Sequence, residues 1–116
     1  MLDIIGKINR VLGKGNFWLV KEVQLDNPIS VNGKLYNNVA CKFSIKNSQE
    51  DIDRNLNIYQ SLKKSNVPTL EFVEKGCFEN ENCLIAENLA NREDSLFVSP
   101  NTLRNKDVSL FTRFLS

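Results

Sequence analysis

Asn32-Gly33, set between Ile29-Ser30-Val31 and Lys34-Leu35-Tyr36, constrains the fold of this chain more than any other feature. A two-residue Asn-Gly connection between alternating segments is the strongest short signal for a β-hairpin, because both turn residues must take positive φ. The arm after the turn belongs to a strand read over Lys34 to Lys46. Within it, Val39, Cys41 and Phe43 fall on one face and Ala40 and Lys42 on the other. A second turn lies upstream, where Gly13-Lys14-Gly15 separates two apolar stretches, Lys7 to Leu12 and Phe17 to Leu25. Two closely spaced glycines are most often only a hairpin turn. They are also a place where backbone closes over something flat or anionic. The face that pairs Ala40 with Lys42 offers such a ligand a small residue to lie against and a cation to reach.

Downstream the pattern changes period. Ser48 precedes Gln49-Glu50-Asp51 as an N-cap with acids in the first turn, and Ile52, Leu56, Tyr59 and Leu62 recur at helical spacing. Pro68 lies beyond the end, so a helix is expected over 48–64. Leu70 to Phe78 and Asn82 to Leu89 read as two further strands joined by Glu79-Asn80-Glu81. Many of the sixteen asparagines stand at turn positions (Asn32, Asn37, Asn38, Asn80, Asn82), where tolerance of left-handed backbone suits hairpin tips. Pattern alone gives an α+β, mostly antiparallel domain.

At 116 residues the chain is long enough for one domain with a modest core and no staples. The net charge of +1 is spread along the chain without a basic run, which argues against capture of nucleic acid or membrane. Cys41, Cys77 and Cys83 are odd in number and lack metal-ligand spacing, so they read as reduced core cysteines of a cytoplasmic protein. There is no histidine, which removes Ser-His and Cys-His nucleophile pairs and His-bearing metal sites. No metal site is expected. No signal-peptide apolar region follows Met1, and no apolar run is long enough to span a bilayer.

The order of these parts resembles the small, nucleotide-binding lobe of the protein kinase family: Gly13, Gly15, an aromatic at the loop tip (Phe17), Val20, then Val39-Ala40-Cys41-Lys42. The resemblance implies a five-stranded antiparallel sheet with one packed helix as a lobe over 1–89, with the glycine loop at 12–20. A C-terminal helical segment would follow over 90–116. It implies an ATP site in which Gly13, Gly15 and Phe17 cover the phosphates and Lys42 reaches them. Leu12, Val20 and Ala40 would sandwich the adenine, and backbone groups of Glu87 and Leu89 would bond its edge, with Ala86 as a small gatekeeper. Two departures stand out. Trp18 occupies the usual place of the loop's third small residue, and Asn55 stands where the family's helix carries the glutamate that holds the lysine. Asn55 shares a helical face with Ile52, Leu56 and Tyr59, so its amide is aimed inward; Asp51, one turn earlier on the same side, is a substitute partner, and a Lys42 that snorkels to solvent is the alternative.

The chain has neither a His-Arg-Asp loop nor Asp-Phe-Gly, so no catalytic residue is assigned, and magnesium enters only with a second lobe. The functional expectation is therefore an ATP-binding small lobe whose phosphoryl transfer, to a protein or small-molecule hydroxyl, requires a longer parent chain. A stand-alone pseudokinase-like interaction module with weak or no nucleotide binding is the alternative. An unrelated small α+β interaction domain is a third reading. Leu103, Val108, Leu110, Phe111, Phe114 and Leu115 suggest an amphipathic C-terminal helix through which a protein partner would bind.

Overall fold

Strand follows strand from the amino terminus until a single helix interrupts them. The computed structural model describes residues 2–65 and 70–88. Its elements are β1 (Leu2–Ile4), β2 (Gly6–Lys14), β3 (Trp18–Val31), β4 (Lys34–Ser44), α1 (Gln49–Lys64), β5 (Val73–Phe78) and β6 (Glu81–Ala86). They form one sheet in the order β1-β5-β6-β4-β3-β2. The β2–β3, β3–β4, β4–β6 and β5–β6 pairs are antiparallel, whereas β1 runs parallel to β5.

This corrects the expected five-stranded antiparallel sheet: the sheet has six strands, is mixed, and curls into a half-barrel. The cause is local. Leu2-Asp3-Ile4 pairs with Gly76, Cys77 and Phe78, and Ile4 is buried in the core. Ile5 alone then separates β1 from β2, which lies at the opposite edge of the sheet. One intervening residue spans roughly 7 Å, so the sheet must curl until its two edges nearly meet. Gly6 permits the crossing, because a Cβ there would collide with the backbone carbonyl of Gln24. α1 is the helix among the described residues; the helical segment expected over 90–116 lies outside them.

The turns are built by the residues that tolerate them. Asn32 and Gly33 take φ of 52° and 81°, and Glu79 and Asn80 take 53° and 65°, matching tight hairpins with two left-handed residues. β3 runs unbroken into the Asn-Gly turn, with an irregular register between Gln24 and Ile29 around Pro28. Pro28 donates no ladder hydrogen bond, which accounts for the break in pairing. Edge strand β2 carries two register shifts, a device that discourages pairing with another chain. Ser48 caps α1, its Oγ accepting the Asp51 amide at 3.2 Å.

The wrapped face of the sheet encloses the main core: Val23 and Leu25 from β3, Val39, Cys41 and Phe43 from β4, and Cys83 and Ile85 from β6, with Ile4 closing it. Tyr36 and Phe72 meet edge to face at 4.9 Å between centroids. The other face carries a smaller cluster, Val20, Ala40, Ala86, Leu70 and Tyr59, with Leu12 and Val73 packed against it. Val39 through Ser44 are all buried, so β4 is covered on both faces.

Docking of β1 depends on close approach at Gly76. A Cβ there would collide with the Ile85 side chain and lie 2.7 Å from the backbone oxygen of Leu2. Gly76→Ala is expected to lower stability by about 1–3 kcal/mol, read as a drop in the urea midpoint. An unchanged midpoint would mean that β1 does not pack as described.

Candidate functional site

The second face of β4 gathers the residues of interest. Because Val20 stands opposite Lys42 and Glu22 opposite Ala40, these four side chains share the α1-facing surface. Gly13 pairs with Val20 on the neighbouring strand. The turn linking β2 to β3 is held by the Gly15 amide donating to the Trp18 carbonyl at 2.9 Å, and the Ile45 amide donates to the Phe17 carbonyl at 2.9 Å. Strand pairing thus brings Gly13 and Gly15 into the neighbourhood of Lys42, from which they are separated by more than two dozen residues in sequence.

Lys42 is 1% exposed, an unusual place for an ammonium. Its Nζ donates to Asn55 Oδ1 at 3.1 Å. It also lies 4.8 Å from the centroid of the Trp18 ring and 5.6 Å from that of Tyr59, so two aromatic faces supply part of the solvation that water no longer gives. The contact with Asn55 follows from α1, since Ile52, Asn55 and Tyr59 recur at the three- and four-residue spacing of one helical face.

The other expected residues are placed as follows. Val20 and Ala40 are buried, and Leu12 packs on their cluster. Phe17 points outward, 61% exposed, with the Lys46 ammonium 5.9 Å from its ring. Gly15 is exposed, and a Cβ added to it would meet nothing. Glu87 is buried; its carboxylate accepts the Glu71 amide at 3.0 Å and its own amide donates to the Phe72 carbonyl at 3.3 Å. Leu89 lies outside the described residues. Leu12, Gly13, Val20, Ala40 and Lys42 are thus brought to one face, while the amide and side chain of Glu87 bond to the segment that leads into β5.

Three features escape a reading of the sequence. Trp18 and Tyr59 cover Lys42. A cavity of about 380 Å³ opens between the loop tip and α1, walled by Phe17, Trp18 and Ile58 on its apolar side and by Lys46, Asp51, Arg54 and Asn55 on its polar side. A polar network also sits at the far end of the face. Asn88, fully buried, donates to Glu22 Oε2 at 2.6 Å and to Asn38 Oδ1 at 3.1 Å, and Arg10 bridges the same carboxylate oxygen at 3.2 Å. The sequence holds one signal for it: Glu22 follows Val20 by two residues and so must share the face of Ala40.

Comparison with family models and with curated proteins found no match to this chain. Among the described residues, no helix is long and apolar enough to cross a membrane.

Burial pushes the Lys42 ammonium down from the ordinary 10.5 to about 8. Keeping it charged at neutral pH costs on the order of 3 kcal/mol, which the aromatic contacts offset in part. The unfolded lysine keeps its proton up to its ordinary value while the folded one releases it earlier. The unfolded state therefore holds more protons in that window, and this group makes the fold more stable as pH rises through it. Cys41 acts in the opposite sense. Its hydrogen bond with Cys83, and then burial, push its thiol far up, so unfolded thiols ionise first and favour unfolding at alkaline pH. Comparing wild type with Lys42→Met separates the two. Between about pH 7 and pH 10 the wild type is expected to gain roughly 2 kcal/mol relative to the variant in urea denaturation. Parallel pH profiles would show that Lys42 does not titrate there.

Proposed function

We propose that this chain is an ATP-binding small lobe of a protein kinase-like protein, in a reducing cytoplasmic setting, with phosphoryl transfer belonging to a longer parent chain. One observation carries the reading: a glycine turn, a buried lysine on the adjoining strand pair and a helix side chain holding that lysine meet on one face of the sheet. Such a face sets a tight glycine turn beside a fixed cation, two features that suit a nucleotide tail. Gly15 adds support. Neither a positive φ nor a close neighbour demands glycine there, so its missing side chain is best explained by a ligand approaching the backbone. Leu12, Val20 and Ala40 would form the apolar floor for the base.

A second reading is favoured by the closure of that floor. Val20 is fully buried and Ala40 is 1% exposed, so a base must displace something before it can lie against them. A stand-alone pseudokinase-like interaction module with weak or no nucleotide binding accommodates this directly. In neither reading does this chain by itself transfer a phosphoryl group.

Titration with Mg-ATP, followed by melting temperature, separates the two. A saturable rise with half-saturation near or below about 1 mM supports the nucleotide lobe. Gly15→Ala is then expected to weaken that response while leaving the unliganded protein as stable as before or up to about 1 kcal/mol more so. No response at millimolar ATP would leave the interaction module as the reading.

A further inference from the structure

Two of the residues that wall the loop–helix cavity are also the residues that touch the buried ammonium. Trp18 and Asn55 line the cavity, and the Lys42 Nζ lies 4.8 Å from the Trp18 ring and 3.1 Å from Asn55 Oδ1. Lys42 therefore adjoins the cavity through the two side chains that wall it. At about 380 Å³ the cavity is in the size class of small-molecule sites.

Its remaining polar lining favours an anion. Lys46 and Arg54 contribute two cations against the single carboxylate of Asp51. The Arg54 guanidinium, 64% exposed, bridges Glu50 and Asp51 at 3.3 Å each. Ion pairs this exposed are weak and rearrange readily. Among the described residues, Lys46 lies over the exposed Phe17 ring.

The main chain of Trp18 is held independently of its side chain. Its backbone carbonyl accepts the Gly15 amide, and its register partner on β4 is Ser44, so the main chain stays paired when the side chain changes rotamer.

We propose that Trp18 is a self-plug on a polyphosphate site: a phosphoanhydride chain enters the loop–helix cavity, displaces the indole and is held by Lys42, Lys46 and Arg54. The plug deepens the nucleotide reading and rests on its assignment of Lys42 to phosphate. Without ligand, the ring is one of the cation's contacts and keeps the site in a low-affinity form. The same chemistry is presented by the tail of a nucleoside triphosphate and by free inorganic polyphosphate.

The test titrates sodium tripolyphosphate and, separately, ATP into wild type, Trp18→Ala and Trp18→Ala/Lys42→Met, following melting temperature. Tripolyphosphate is expected to bind Trp18→Ala about tenfold more tightly than wild type, as for a competent form populated about one-tenth of the time. The double variant is expected to lose that binding. In wild type, tripolyphosphate should red-shift the emission of Trp18, the only tryptophan, and expose it to acrylamide quenching. This last reading keeps the test decisive if the variants fold poorly. Equal affinity in wild type and Trp18→Ala, or binding to wild type with unmoved indole emission, overturns the plug. ATP bound equally by wild type and Trp18→Ala leaves the nucleotide lobe standing and removes the plug alone. Tripolyphosphate binding that tightens in Trp18→Ala without any ATP binding keeps the plug and removes the nucleotide.

Discussion

A charged residue in the middle of a strand buried on both faces is the constraint around which this molecule is arranged. β4 has to present Val39, Cys41 and Phe43 to the wrapped core, and alternation then forces Ala40, Lys42 and Ser44 onto the opposite surface. An ammonium left there without compensation would be costly to desolvate. The fold's answer includes neighbours from two other elements: Trp18 at the start of β3, and Asn55 and Tyr59 one turn apart on α1. The packing of α1 against the sheet and the closure of the β2–β3 turn are therefore linked through one side chain. Loss of the lysine removes the reason for both contacts, whereas loss of either contact leaves a buried charge less well served.

The second constraint is curvature. A sheet whose edge strands are joined by the single residue Ile5 has little freedom to flatten. Glycine appears at the two places where backbones crowd, Gly6 against Gln24 and Gly76 against Leu2. At Gly15 nothing crowds. Gly6 and Gly76 are thus fixed by close approach and Gly33 by its positive φ, whereas neither constraint acts at Gly15.

How much of this was legible in the sequence differs from residue to residue. Asn32-Gly33 announced its hairpin because few residue pairs accept two positive φ values, and Ser48 announced its helix because the cap and the acids of the first turn act locally. The shared face of Ala40 and Lys42 was legible for the same reason: alternation is a property of one strand. β1 was not. Three residues are too few for a periodicity, and its partner lies more than seventy positions away, so nothing local distinguishes Leu2-Asp3-Ile4 from a terminal tail. Within the candidate site, the contact of Asn55 with Lys42 was accessible from the helical wheel. The Trp18 cover was not, since it depends on a rotamer chosen by a cation on another strand. The union of Glu22 with Asn88 joins positions 66 apart, and only the assembled sheet brings them together.

That last network bears on how the face can move. Glu87 and Asn88 are consecutive, yet they fasten in different directions, one to Glu71 and Phe72 ahead of β5 and the other to Glu22 and Asn38 on β3 and β4. The 2.6 Å bond to Glu22 is charge-assisted, and both partners are buried, so breaking it leaves a carboxylate and an amide to be solvated where water is scarce. The exit from β6 is thus anchored to two strands, β3 and β4, and to the segment leading into β5. By contrast, the β2–β3 turn is fixed by a few backbone hydrogen bonds, with Gly15 and Phe17 exposed. Rearrangement of this face should therefore be confined to the loop end, and the floor formed by Val20, Ala40 and Ala86 should behave as a fixed surface. Moving the indole therefore costs this face less than moving the sheet.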